Sequence, residues 1–178
     1  FQPDGPIISD DRYYYSAKVE RSARVGRGVL NALTAMRKHT RIDAVVAHSL
    51  WGAPHFLYDE IDAAIVSYIE FPSFRAHGWD PAYPPDLAQR ITDRNAEMLN
   101  FHQAVSSDLV ICPSQHAKNM FPPVLRANIE VQMEGFDFRS MPAPVTGGRE
   151  KMVIGFAARD LSSAKGFETY VRLVDKLV

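Results

Sequence analysis

Five short apolar runs alternate with amphipathic stretches along this chain. Ser16 to His39 has helical spacing: Val19, Ala23, Val29, Leu30, Leu33 and Met36 recur on one face, with arginines and lysines on the other. Asp43–Ala47 (DAVVA) is a continuous apolar run, the pattern of a strand buried on both faces of a parallel sheet. Ala53–Glu60 predicts a helix with Pro54 in its first turn, and Ala63–Ile69 (AAIVSYI) a second buried strand. Pro72–Pro85 predicts a loop rich in aromatics and long enough to suggest a functional segment. Asp86–Ser106 predicts a helix with Leu87, Ile91, Met98, Leu99, His102 and Val105 on its apolar face. Asp108–Cys112 is a third strand; Pro113 ends it, and Ser114 can cap a helix over Gln115–Phe121. Asn128–Met133 is a fourth strand. Phe138–Arg149 holds two prolines and a Gly-Gly pair and reads as a linker. Met152–Ala158 starts a fifth strand, and Phe167–Leu177 is helical.

Strands alternating with helices predict an α/β fold: a Rossmann-like parallel sheet with helices on both faces. The linker divides it into a domain over residues 1–140 and, over 141–178, a linker and the start of a second domain. The chain opens on Phe1 and closes inside a helical pattern without a capping signal, so it reads as truncated at both ends, a piece of a longer protein.

Composition narrows the picture. The 178 residues are 46% hydrophobic and 23% charged, which is globular rather than disordered. A net charge of −1 gives no support for nucleic acid or a polybasic membrane surface as partner. Cys112, the single cysteine, cannot form an internal disulfide and fits a reducing, cytoplasmic setting. No apolar run reaches the roughly 20 residues that span a bilayer.

Ligands of open α/β sheets bind beyond the carboxyl ends of the strands. That rule singles out His48, Glu70, Ser114, Glu134 and Arg159, each just past a strand. Phe156–Gly166 (FAARDLSSAKG) joins the fifth strand to its helix and holds Arg159 and Lys165. Arginine can grip an oxyanion with two N–H groups, lysine adds a point charge, and the helix N-terminus adds free N–H groups. Gly166 would open the helix without steric cost. The alternative is a solvated loop that happens to carry two cations. His48 could instead order a loop, Glu70 cap a turn, Trp51 pack, and Gly135 and Asp137 form a turn. Cys112 reads as buried core. His48, His55, Glu70 and His77 match no compact zinc spacing, so no metal site is expected, and no G-x-S-x-G elbow is present.

With these segments in view, the chain resembles the family 4 glycosyltransferases of the GT-B fold, the "group 1" class. DAVVAHSLWG resembles the acceptor-domain strand that ends in histidine. DLVICPSQHAKNMF is similar to that domain's strand, serine and helix, and IEVQMEGFDF to the segment that ends it. MVIGFAARDLSSAKGFETYVRLVDKL resembles the opening of the donor domain, with Arg159 and Lys165-Gly166 as its phosphate contact. Glu134 departs from the pattern, standing where the family usually has asparagine.

The resemblance implies a retaining glycosyltransferase, moving sugar from a nucleotide-sugar (UDP-, GDP- or ADP-sugar) to an acceptor hydroxyl in polysaccharide or glycoconjugate synthesis. No cofactor or metal is required. It implies His48, Arg159 and Lys165 as catalytic; Arg159, Lys165, Gly166 and Gly135 as donor-binding; and His48, Trp51, Gly52 and Glu70 as acceptor-binding. The partners implied are the donor and a glycan or other hydroxyl acceptor, with peripheral membrane contact where that acceptor is lipid-linked. The fragment alone is expected to be inactive. The competing expectation is a non-catalytic α/β module that binds a glycan or protein through the Pro72–Tyr83 loop; another is a different nucleotide-binding enzyme on the same kind of sheet.

Overall fold

The computed structural model describes residues 14–79, 81–143, 153–161 and 165–177. Contacts divide the chain into two units, Phe1–Gly135 and Phe136–Val178.

The first unit is built on four strands, β1 (Ala44–His48), β2 (Ala64–Tyr68), β3 (Leu109–Cys112) and β4 (Ile129–Val131). All pair in parallel in the order β1-β2-β3-β4. This is the α/β, Rossmann-like arrangement expected, and each strand falls within a residue or two of an apolar run. The helices are α1 (Ala17–Met36), α2 (Phe74–His77), α3 (Leu87–Ser106) and α4 (Gln115–Asn119).

Every crossover steps in the same direction along the sheet. Such connections are right-handed, so they fall on the same face. Ala47, Ser67, Val110 and Ile129 stand side by side on that face. One apolar cluster joins Val25 and Val29 of α1 to Leu57 and Ile65; another joins Ala104 of α3 and Phe121 to Val110, Cys112 and Ile129. The opposite face carries Val46, which is 71% exposed, so β1 is covered on one face and not on both.

Three helical expectations are corrected. Ala53–Glu60 forms only a 3-10 turn over Pro54–Phe56. Ala53 has φ 38° and Asp59 φ 66°, left-handed backbone that an α-helix cannot include. α4 stops at Asn119 rather than Phe121, because Pro122 and Pro123 follow and the residue before a proline is driven out of the helical region.

The third concerns α3, where Leu87, Met98 and Val105 of the expected apolar face are exposed. The helix instead buries Asp93, Glu97, Asn100, Gln103 and Ala104. Glu97, Asn100 and Gln103 find partners on the sheet's loops, and Asp93 finds them in Gln89 and Lys18, which offsets their desolvation.

α1 packs with small residues, burying Ser22, Gly26 and Gly28 beside Val25 and Val29. A Cβ on Gly26 would stand 2.9 Å from the Ala53 oxygen and 3.0 Å from the His55 ring. The His55 ring is half-buried, its Nδ1 covered and without a hydrogen-bond partner. Burial, helped by His102, pushes its pKa below the usual value. The unfolded chain, titrating near the ordinary value of about 6.5, therefore takes up this proton first as pH falls. Stability from His55 is full above that value and is lost as pH drops through it toward the folded value. Thermal melts between about pH 7.5 and 5 should show a falling midpoint, with a shallower slope in His55→Gln; equal slopes would remove His55 as the cause.

In the second unit, residues 153–158 carry no strand ladder, contrary to the strand expected over Met152–Ala158; Met152 lies outside the described residues. A strand needs a neighbour to accept its backbone groups, and none is formed in this unit among the described residues. The segment packs instead on α5 (Phe167–Leu177): Phe156 meets Phe167 at 5.5 Å and Tyr170 at 5.1 Å between ring centroids. The Tyr170 hydroxyl donates to the Ile154 carbonyl at 3.0 Å.

Candidate active site

Parallel strands end together, and polar residues stand at or shortly beyond the ends of β1, β2 and β4. Leu50 N–H donates to His48 Nδ1 at 3.2 Å. A nitrogen that accepts has no proton of its own, so the neutral ring carries its hydrogen on Nε2. That atom lies 3.6 Å from Glu70 Oε2. The distance is too long for a hydrogen bond and leaves both groups able to bond a ligand hydroxyl. Gly52 N–H closes the turn onto the His48 carbonyl at 2.7 Å. A Cβ at Gly52 would stand 3.0 Å from Ala47 Cβ and 3.1 Å from the His48 oxygen, so this turn has room for little more than glycine. Trp51 is exposed, with the Arg21 guanidinium 5.3 Å above its ring.

Tyr68 belongs to this group and was not expected there. It pairs in register with His48, and the two rings lie 5.6 Å apart. Its hydroxyl donates to Glu134 Oε1 at 2.6 Å. Burial, then the carboxylates of Glu134 and Glu70, push its phenol pKa well up, so it stays a donor. The signal in the sequence was its alternation with Ser67: one faces the helices, the other shares the face of His48. Structure thus brings together His48, Trp51, Gly52, Glu70 and Glu134, and adds Tyr68.

α3 holds the loops that carry this cluster. Gln103 Nε2 donates to the Ser49 carbonyl at 3.3 Å, after β1, and Asn100 Nδ2 to the Pro72 carbonyl at 3.1 Å, after β2. The nearly buried Glu97 accepts from Ser73 Oγ at 2.8 Å and from Arg75 Nη2 at 2.7 Å. So the segment Pro72–Pro85, expected as loop, contains α2 and is tied to α3 at its start. Glu97→Ala leaves Ser73 and Arg75 without their acceptor. It should cost about 1–3 kcal/mol and speed amide exchange across residues 73–79; unchanged exchange there would show that the tie is not needed.

Other groups take structural roles. Ser114 Oγ accepts from Ala117 N–H at 3.1 Å as the cap of α4. Asp137 Oδ1 accepts from Arg139 N–H at 3.0 Å, making a turn. Cys112 is buried, which pushes its thiol up to about 11 and makes it a poor nucleophile. Gly135 has open space where a Cβ would be, so space does not demand glycine there.

In the second unit, Arg159 is 80% exposed and pairs with the adjacent Asp160 at 3.3 Å. Gly166 has φ 76°, a value that favours glycine, and its carbonyl accepts from Tyr170 N–H at 3.0 Å at the opening of α5. Lys165 is exposed next to it. Residues 162–164 between the two cations lie outside the described residues.

A depression of about 1470 Å³ lies elsewhere, at the amino ends of β1 and β2, lined by Arg41, Asp43, Asp62 and Asp108 among others. Ligands of such sheets bind at the opposite end, so the strand-end cluster is the better candidate.

A parallel sheet with a polar cluster at its carboxyl edge defines a Rossmann-like α/β protein with a candidate site beyond the strands. The chain belongs to the glycosyl transferase family 4 group, which matches residues 1–141. No curated protein and no solved structure matches it. Glycosyl transfer is therefore the general activity, with a sugar donor and an acceptor as partners. No helix among the described residues is long and apolar enough to cross a membrane.

Proposed function

We propose that the protein moves a sugar from a nucleotide-sugar (UDP-, GDP- or ADP-linked) to an acceptor hydroxyl with retention, in polysaccharide or glycoconjugate synthesis in the cytoplasm. Residues 1–140 act as the acceptor domain, and residues 141–178 are the linker and the start of the donor domain. The fragment alone is inactive, and neither cofactor nor metal is needed. A glycan is the expected acceptor; a lipid-linked one would bring peripheral membrane contact.

The observation that carries this reading is the turn at Lys165-Gly166, which opens α5 just after Arg159. As the glycosidic bond breaks, negative charge grows on the leaving diphosphate. Arg159, Lys165 and the first N–H groups of α5 are the groups suited to meet it, and their attraction rises as the charge develops. Gly135 borders the donor in this reading. The Arg159–Asp160 pair is exposed and worth at most about 1 kcal/mol, so a diphosphate can displace it. At the other substrate, His48 Nε2–H and the Glu70 carboxylate offer a donor and an acceptor to the incoming hydroxyl, with Trp51 and Gly52 shaping the pocket.

The test is nucleotide release from a panel of UDP-, GDP- and ADP-sugars by the whole protein, with glycan acceptors added. Release from one donor establishes the transfer and names the donor. Release from none would overturn it in favour of a non-catalytic glycan- or protein-binding module.

A further inference from the structure

His77 and His116 come from segments 39 residues apart, α2 after β2 and α4 after β3. Their Nδ1 and Nε2 atoms nonetheless lie 2.9 Å from each other on the surface. The rings are close to perpendicular, 80° between planes and 5.2 Å between centroids, so the approach is through nitrogens and not through stacked faces. A single exposed hydrogen bond returns little once the cost of ordering two side chains is met. The His77 ring is also held from behind, and both short helices are anchored. Phe71 meets His77 edge-on at 5.1 Å. α2 is anchored to Glu97 through Ser73 and Arg75, and α4 is capped by Ser114.

We propose that His77 and His116 form a two-imidazole site for a divalent transition metal of the zinc class. Two metal–nitrogen bonds of about 2.0–2.1 Å at a tetrahedral angle set their nitrogens about 3.3 Å apart, an opening of a few tenths of an ångström from the distance seen. Imidazole nitrogen suits zinc, nickel and copper, whereas magnesium and calcium favour oxygen. Among the described residues no third His, Cys, Asp or Glu completes the set, so water fills the remaining positions. The metal clips the segment that follows Glu70 to the start of α4. It is separate from the sugar-transfer chemistry and does not depend on that reading.

The experiment is calorimetric titration of the metal-stripped full chain with Zn²⁺. One equivalent should bind, and Mg²⁺ should not. His77→Ala and His116→Ala, both at exposed positions, should each abolish binding, and the exposed His39→Ala should retain it. In the parent chain Zn²⁺ should also slow amide exchange over residues 73–79 and 115–119, and not in the two variants. Absence of Zn²⁺ binding, or binding that survives both substitutions, overturns the site and leaves the pair a hydrogen bond.

Discussion

Arg159→Ala is expected to cut nucleotide release by the whole protein by about 10²–10³-fold, the loss seen when one preorganised donor to a developing oxyanion is removed. The residue is suited to that role by what it lacks. Its side chain is 80% exposed, and its ion pair is with the neighbouring Asp160. An exposed side chain packs little of the fold, so the melting temperature should stay put while the rate falls. Arg159→Lys should recover only part of the rate, since lysine keeps the charge and loses the two-pronged grip. The fall should appear in kcat as much as in kcat/KM, because the interaction strengthens as the diphosphate departs. Release at the parent rate from the alanine variant would sink the diphosphate role.

The largest stability effect should come from Phe121→Ala, at about 3–5 kcal/mol. Phe121 is 1% exposed and sits in the cluster of Ile69, Ala104, Val110, Cys112 and Ile129, with the Phe101 ring 5.7 Å away. Its position is fixed on both sides, by α4 before it and Pro122 after it, so the chain around it can relax only partly into the space left. The loss includes a cavity term beyond the transfer of the ring out of water. Urea unfolding of the chain would read it as a lower midpoint at constant slope. A loss below about 1 kcal/mol would mean that this part of the core collapses freely.

Much of the architecture was legible in the sequence. Continuous apolar runs such as DLVIC have one physical meaning in an alternating α/β pattern, and β1 to β4 fall on them. Gly166 opening α5 and Ser114 capping α4 were legible for the same reason, because they are local backbone chemistry. The face of α3 was not. Leu87, Met98 and Val105 lie outward, and its buried side is chosen largely by carbonyls and side chains that arrive from Ser49, Pro72, Ser73 and Arg75, distant in sequence. Tyr68 was hidden inside an apolar run, and only its register with His48 and the arrival of Glu134 show its role. The pair of His77 and His116 is likewise invisible until two loops are folded side by side.

The sequence by itself determined the alternation of strand and helix, the parallel sheet, the strand-end position of His48 and Glu70, and the resemblance that family membership then matched. These follow from periodicity and short-range backbone preferences, which act over a few residues. Tertiary structure alone decided which face of α3 is buried, which strand side carries Tyr68, and which polar groups meet. Those outcomes depend on right-handed crossovers stacking helices on one face and on buried polar groups needing partners wherever the fold can supply them.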